Sequence, residues 1–161
     1  MQSWKAHLSD EAGTLALGAA LARVLHPGLI IHLHGELGAG KTSLTRAILH
    51  AAGYAGRVKS PTYTLMEPYT ITLGGQSVEV MHFDLYRMIS PEEFIEAGFR
   101  EHFGHRTICI IEWPQQAGSL LPPPDLAIFL TVEGHGRKVE LRANSEQGTI
   151  CLNHLHFSPN L

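Results

Sequence analysis

Lys41, Thr42, Asp84 and Glu112 are the residues of this chain whose types and spacing point most directly to chemistry. Lys41 and Thr42 close the string Gly35-Glu36-Leu37-Gly38-Ala39-Gly40-Lys41-Thr42, which fits the pattern G-x-x-x-x-G-K-[ST] without a mismatch. A loop of this kind turns its backbone N–H groups inward around phosphate oxygens, and glycine leaves room where a Cβ would block the approach. A helix starting just beyond it adds partial positive charge at the same place. Lys41 supplies a full charge toward β- and γ-phosphates, and the Thr42 hydroxyl can ligate Mg²⁺.

Chemistry on a bound phosphate chain also needs an acid that holds the metal or orders the attacking water. Two positions qualify. Glu112 ends the apolar run Ile108-Cys109-Ile110-Ile111, and Asp84 ends Val78-Glu79-Val80-Met81-His82-Phe83. A parallel strand would deliver either side chain toward the phosphate site. Glu112 fits the pattern of four apolar residues and then an acid, whereas His82 interrupts the other run; both stay candidates. Ser60, Thr62 and Thr64 place hydroxyls one helix beyond the glycine loop, where several nucleotide hydrolases sense the γ-phosphate. The same residue types also make local side-chain-to-backbone bonds. Arg87 could neutralise transition-state charge or cover apolar surface with its stem. Trp113 reads either as a core anchor or as a contact to a nucleotide or partner. His32 and His34, two apart, would share one face of a strand, but no Cys/His spacing typical of zinc accompanies them.

These side chains need elements to position them. The run Leu29-Ile30-Ile31-His32-Leu33 predicts a strand leading into the glycine loop, and Lys41 to about Gly53 predicts the following helix, with Leu44, Ala47, Ile48 and Ala51 inward. Upstream, Ser9 reads as an N-cap, with Asp10 and Glu11 in the first turn of a helix that carries Leu17, Leu21, Val24 and Leu25 and ends near His26-Pro27-Gly28. Tyr69 to Leu73 and Ser77 to Asp84 read as two strands joined by a Gly74-Gly75 hairpin turn. Ser90-Pro91-Glu92-Glu93 has capping-box spacing, and Gly98 should stop or kink the helix it starts. Ile108 to Ile111 is continuously apolar, as in a strand covered on both faces. After the rigid Pro122-Pro123-Pro124, alternating strands are expected around Leu126–Val132 and Lys138–Leu141, with a turn at Gly134-His135-Gly136. From Ala143 onward the signals are weak, and a short added strand or a loose tail is expected. The fold class implied is α/β: a P-loop NTPase-like mixed, mainly parallel sheet with helices on both faces and ligand at the carboxyl ends of the central strands.

At 161 residues the chain is long enough for one domain with a proper core. Hydrophobic residues make up 44% and charged residues 17%, and the net charge of −3 advertises no basic nucleic-acid surface. No stretch approaches the roughly eighteen unbroken apolar residues of a membrane span, and residues 1–13 hold no secretory apolar segment. Cys109 reads as a buried thiol rather than half of a bridge. A cytoplasmic location is expected.

Four blocks occur in order: His34-Gly35-Glu36-Leu37-Gly38-Ala39-Gly40-Lys41-Thr42, Val58-Lys59-Ser60-Pro61-Thr62-Tyr63-Thr64-Leu65, His82-Phe83-Asp84-Leu85-Tyr86-Arg87 and Ile111-Glu112-Trp113-Pro114-Gln115-Gln116. Together they resemble the bacterial TsaE (YjeE) family, small P-loop ATPases required for the threonylcarbamoyl modification of adenosine 37 in tRNA. The likeness covers about residues 5 to 142. It implies a Mg-dependent ATPase that binds ATP and Mg²⁺, is slow alone, and is stimulated by a TsaB–TsaD complex that it resets between turnovers. It also implies that Gly35, Glu36, Leu37, Gly38, Ala39, Gly40, Lys41, Thr42 and Ser43 bind the nucleotide together with Glu11, Thr62, Trp113 and Arg137. Lys41, Asp84 and Glu112 would be catalytic, Thr42, Glu112 and Asp84 would serve the metal, and the Ser60–Thr64 loop would be switch-like. Residues 1–142 would form the ATPase domain and 143–161 an extension that matches no family motif. Contact with tRNA is expected only through the partner complex, with no membrane involvement. The alternative is a small-molecule kinase of the same fold. Such kinases usually carry an arginine-rich lid, and between Ser90 and His105 only Arg100 is available.

Overall fold

Side chains alternate between the two faces of a strand, and that alternation decides how this molecule is layered. Ile31 and Leu33 are buried in one hydrophobic cluster, while Ile30 packs against another. The same split separates Ile108 and Ile110 from Cys109 and Ile111, and Val78 and Val80 from Met81 and Phe83. Two cores on opposite faces of one sheet follow from the pattern. A computed structural model describes residues 2–61, 64–104 and 106–157.

The strands are β1 (Ser3–Leu8), β2 (Ile30–His34), β3 (Met66–Leu73), β4 (Gln76–Asp84), β5 (Thr107–Glu112), β6 (Leu126–Glu133) and β7 (Gly136–Ala143). They form one sheet in the order β1-β7-β6-β2-β5-β4-β3. β6, β2, β5 and β4 run parallel at its centre. The outer pairings are antiparallel, β3 on β4, β7 on β6 and β1 on β7. Helices α1 (Glu11–Ala22) and α2 (Lys41–Ala51) cover the first face through Leu17, Leu21, Leu44 and Ile48. Helix α3 (Glu92–Glu96) and the 3₁₀ turn Phe99–His102 cover the second through Phe94 and Phe99. The result is a mixed α/β sheet of the P-loop NTPase type, with the hairpins at Gly74-Gly75 and Gly134-His135 where the turn residues predict them.

Three local expectations change. The N-cap of α1 is Asp10, not Ser9: the Asp10 carboxylate accepts from the Gly13 amide at 3.1 Å. The helix stops at Ala22, earlier than the Pro27 signal suggests. The stretch after Ala143, expected as a strand or loose tail, is a fourth helix, α4 (Glu146–Asn153). Its cap is Ser145, whose Oγ accepts from the Gly148 amide at 3.0 Å and donates to Asp125 Oδ1 at 2.7 Å. Cys151 and Leu152 then enter the first core. A helix this short draws its stability from docking, not from propensity.

Helices α1 and α2 meet at a glycine. A Cβ on Gly18 would collide with the Ala47 Cβ and stand 2.8 Å from the Ala47 carbonyl carbon. Because α2 carries Lys41 and Thr42 at its start, this contact fixes the seat of the site. Gly18→Ala is expected to lower stability by about 1–3 kcal/mol through overpacking. A lower urea midpoint at unchanged m-value is the measurement that checks it.

Candidate functional site

The chain leaves β2 at His34, turns through the glycine loop and enters α2 at Lys41. Gly38 at φ +81° and Gly40 at φ +105° hold the left-handed conformation that side chains disfavour. Gly40 is the N-cap of α2 and makes no side-chain cap bond, so the first helical amides stay available to a ligand. Gly35 answers a different need: a Cβ there would stand 2.7 Å from the Leu130 carbonyl oxygen and 3.0 Å from the Ala39 Cβ.

Lys41 points back across the loop. Its Nζ donates to the carbonyls of Gly35 and Glu36, the latter at 3.1 Å, and lies 4.3 Å from the centroid of the Trp113 ring. Burial lowers its pKa from the usual lysine value, against the opposing pull of Glu112, Asp84 and Glu36. Parallel pairing brings the acids to the same end of the sheet, with Glu112 of β5 in register with Asp84 of β4 and Leu33 of β2. The Glu112 carboxylate, 2% exposed, accepts from the Thr42 hydroxyl at 3.1 and 3.3 Å. It also meets His82 Nε2 at 2.6 Å. Asp84 accepts from Ser60 Oγ at 2.7 Å and from the Tyr86 amide at 3.1 Å.

A cavity of about 330 Å³ gathers Leu37, Gly38, Gly40, Lys41, Thr42, Ser43, Ser60, Asp84, Tyr86, Glu112, Trp113 and Arg137. Glu11 lines a smaller neighbour of about 170 Å³ that shares Gly40, Ser43 and Arg137 with it. Gly35, Glu36 and Ala39 line a third cavity beside His34 and Phe129. Thr62 lies outside the described residues. Arg87 borders an adjoining hollow with Ser60, Pro61 and Asp84. Arg137 braces the loop: Nε donates to Ala39 O at 2.9 Å and Nη2 to Gly38 O at 3.1 Å.

Trp113 is placed as the core-anchor reading expects. It packs against the second core and also walls the cavity, with its ring 4.9 Å from that of Tyr86. Its φ of +56° is unusual for a non-glycine residue, and such conformations cluster at functional sites. Sequence reasoning passed over Tyr86 as a wall of the site and took His82 only as an interruption. The available signal for His82 was a polar residue on the strand face that Val78 and Val80 mark as inward.

His32 and His34 do share a face, with ring centroids 6.3 Å apart, and His34 stacks on Phe129 at 4.6 Å. Burial, and then the neighbouring His34, push the pKa of His32 down to about 4. The unfolded chain therefore takes up this proton first. The stabilisation is complete above the ordinary histidine pKa and is lost as pH falls toward 4. His32 alone is expected to remove up to about 2 kcal/mol by pH 5. Urea midpoints at pH 7.5 and 5 should show that loss, and His32→Leu should reduce it. Cys109 and Cys151 are both free and buried, and burial raises the Cys109 thiol to about 12.

Fold and site together define a P-loop nucleotide-binding protein. The sequence model described as "Threonylcarbamoyl adenosine biosynthesis protein TsaE" matches residues 8–139. The chain belongs to the TsaE family. It is 38% identical over 153 residues to the tRNA threonylcarbamoyladenosine biosynthesis protein TsaE of Haemophilus influenzae, covering 92% of this chain and 94% of that one. To the Rickettsia felis protein of the same name it is 35% identical over 154 residues, covering 94% and 86%. Its fold is that of a crystal structure of Bacillus subtilis YdiB, with a TM-score of 0.76 over 96% of this chain and 94% of that one at 23% identity. Among the described residues no helix is long and apolar enough to cross a membrane.

Proposed function

We propose that this chain binds ATP with Mg²⁺ and hydrolyses it, slowly alone, as the subunit that resets a TsaB–TsaD complex in the threonylcarbamoylation of adenosine 37 of tRNA. The observation that carries the reading is the Thr42 hydroxyl within 3.1 Å of the Glu112 carboxylate, in one cavity with Lys41. A hydroxyl beside a carboxylate is a hard oxygen donor set, which suits Mg²⁺. Bound there, Mg²⁺ would offset negative charge on the β- and γ-phosphate oxygens.

The chain's own residues divide the remaining work. Lys41 places a second positive charge against the terminal phosphate. Loop amides from Gly38 to Ser43 take phosphate oxygens, and Arg137 keeps the loop carbonyls turned outward. Glu11 and Arg137 border the smaller cavity, which adjoins the phosphate site on the side where the rest of the nucleotide would lie. Asp84, tied to Ser60, orders the metal or the attacking water and links that acid to the switch-like loop. A phosphate site that gathers a lysine, a hydroxyl and two acids suits a hydrolase whose output is a conformational change. The net charge of −3 favours reaching tRNA through the partner, and a role in tRNA modification goes with a cytoplasmic location.

The test is ATP turnover by the purified protein, alone and with TsaB–TsaD, in the absence of any phosphoryl acceptor. Turnover that rises with the partners is expected. Turnover that waits for a small-molecule acceptor would replace this reading with a kinase.

A further inference from the structure

His82 is fully buried, and its two ring nitrogens live in different surroundings. Nε2 is 2.6 Å from Glu112 Oε2, while Nδ1 is buried with no hydrogen-bond partner among the described residues. A hydrogen on Nδ1 would bury an unpaired donor and set the Nε2 lone pair against a carboxylate oxygen. A hydrogen on Nε2 makes the bond and leaves only a lone pair unmatched, the lesser penalty. The ring therefore donates to Glu112.

The same carboxylate takes the Thr42 hydroxyl hydrogen. A hydroxyl that gives its hydrogen to Glu112 keeps its lone pairs for a cation. That arrangement needs Glu112 to stay in one rotamer, and a glutamate held at one hydroxyl can swing about its side-chain torsions. His82 supplies the second point of attachment. It stands near the carboxyl end of β4, paired with Glu67 of β3 on one side and Ile110 of β5 on the other, on the α2 side of the sheet with Val78, Val80 and Asp84. An apolar side chain would fill this place at a lower burial cost.

We propose that His82 is a positioning residue: its Nε2–H bond fixes the Glu112 carboxylate toward Thr42, so that β4 sets the geometry of a group carried by β5. The proposal deepens the reading of Thr42 and Glu112 as the metal pair and rests on it. Groups that orient metal ligands from behind commonly change metal affinity or rate by about 10–100-fold when removed.

The experiment compares the full chain with His82→Gln, whose amide nitrogen can replace the donor, and with His82→Leu, which has none. In steady-state MgATP hydrolysis, His82→Leu is expected to lose about 10–100-fold in kcat and to need more Mg²⁺. Its KM for ATP should stay within about threefold, and His82→Gln should recover most of the rate. Nitrogen NMR of the free wild-type protein at pH 7.5, with the His82 signals assigned by their loss in His82→Gln, should show the Nε2–H tautomer. A folded His82→Leu with the wild-type rate, equal losses in both variants, or an Nδ1–H tautomer would each overturn the proposal. Absence of wild-type turnover even with partners would remove the hydrolase reading instead. The tautomer and Mn²⁺-ADP affinity then decide: a loss confined to His82→Leu supports positioning, and equal affinities refute it.

Discussion

Lys41→Ala is expected to bring ATP hydrolysis at least about 100-fold below wild type and to weaken ATP binding, because one buried cation serves both. The Lys41 side chain is buried, and its ammonium lines one cavity with Glu112 and Asp84, so its charge acts at close range. Its neighbours are two loop carbonyls and the Trp113 ring. None of them can replace a positive charge, and the other cation at the cavity, Arg137, is engaged with carbonyls of Gly38 and Ala39. The substitution also leaves the Gly35 and Glu36 carbonyls short of a donor, which should cost about 1 kcal/mol of stability and leave the fold intact. Turnover and calorimetric titration with ATP are the measurements, with a urea melt to confirm folding. Unchanged turnover in a folded Lys41→Ala would remove the site assignment altogether.

The site was legible where local pattern and geometry coincide. Strand, glycine loop and helix are contiguous in the chain, so Lys41 and Thr42 could be placed from spacing alone. Glu112 was legible because a strand buried on both faces ends at it. His82 shows where local reading fell short. It looked like an interruption of the run that leads to Asp84, yet period two places it on the same face as Val78, Val80 and Asp84, toward α2. Its partner is thirty residues away on another strand. Arg137 reaches the loop only because β7 pairs with β6 and β1, a non-local register that no window of sequence contains. Strand β1 carried a readable signal, with Trp4, Ala6 and Leu8 inward and Ser3, Lys5 and His7 between them. Helix α4 carried little: its cap is Ser145, but its anchors Cys151 and Leu152 acquire meaning only against β7 and the first core.

Glu112→Gln should separate chemistry from binding. Glutamine keeps the volume of the side chain and one acceptor oxygen, so Thr42 and His82 can both remain in contact with it. What disappears is a full negative charge beside the Thr42 hydroxyl, and with it the hard donor that a divalent cation requires. Hydrolysis is therefore expected to fall by about 100-fold or more, while ATP affinity measured without Mg²⁺ stays within about threefold. Lys41→Ala loses both quantities, and this difference is the signature of two groups acting at different stages. Asp84→Asn, made alongside, decides between the two acids. Asp84 is tied to Ser60 and the Tyr86 amide instead of Thr42, so its loss should leave the Mg²⁺ requirement nearer to wild type than the loss of Glu112 does. A Glu112→Gln protein that hydrolyses at the wild-type rate, next to an Asp84→Asn protein that has lost its response to Mg²⁺, would transfer the metal from the end of β5 to the end of β4.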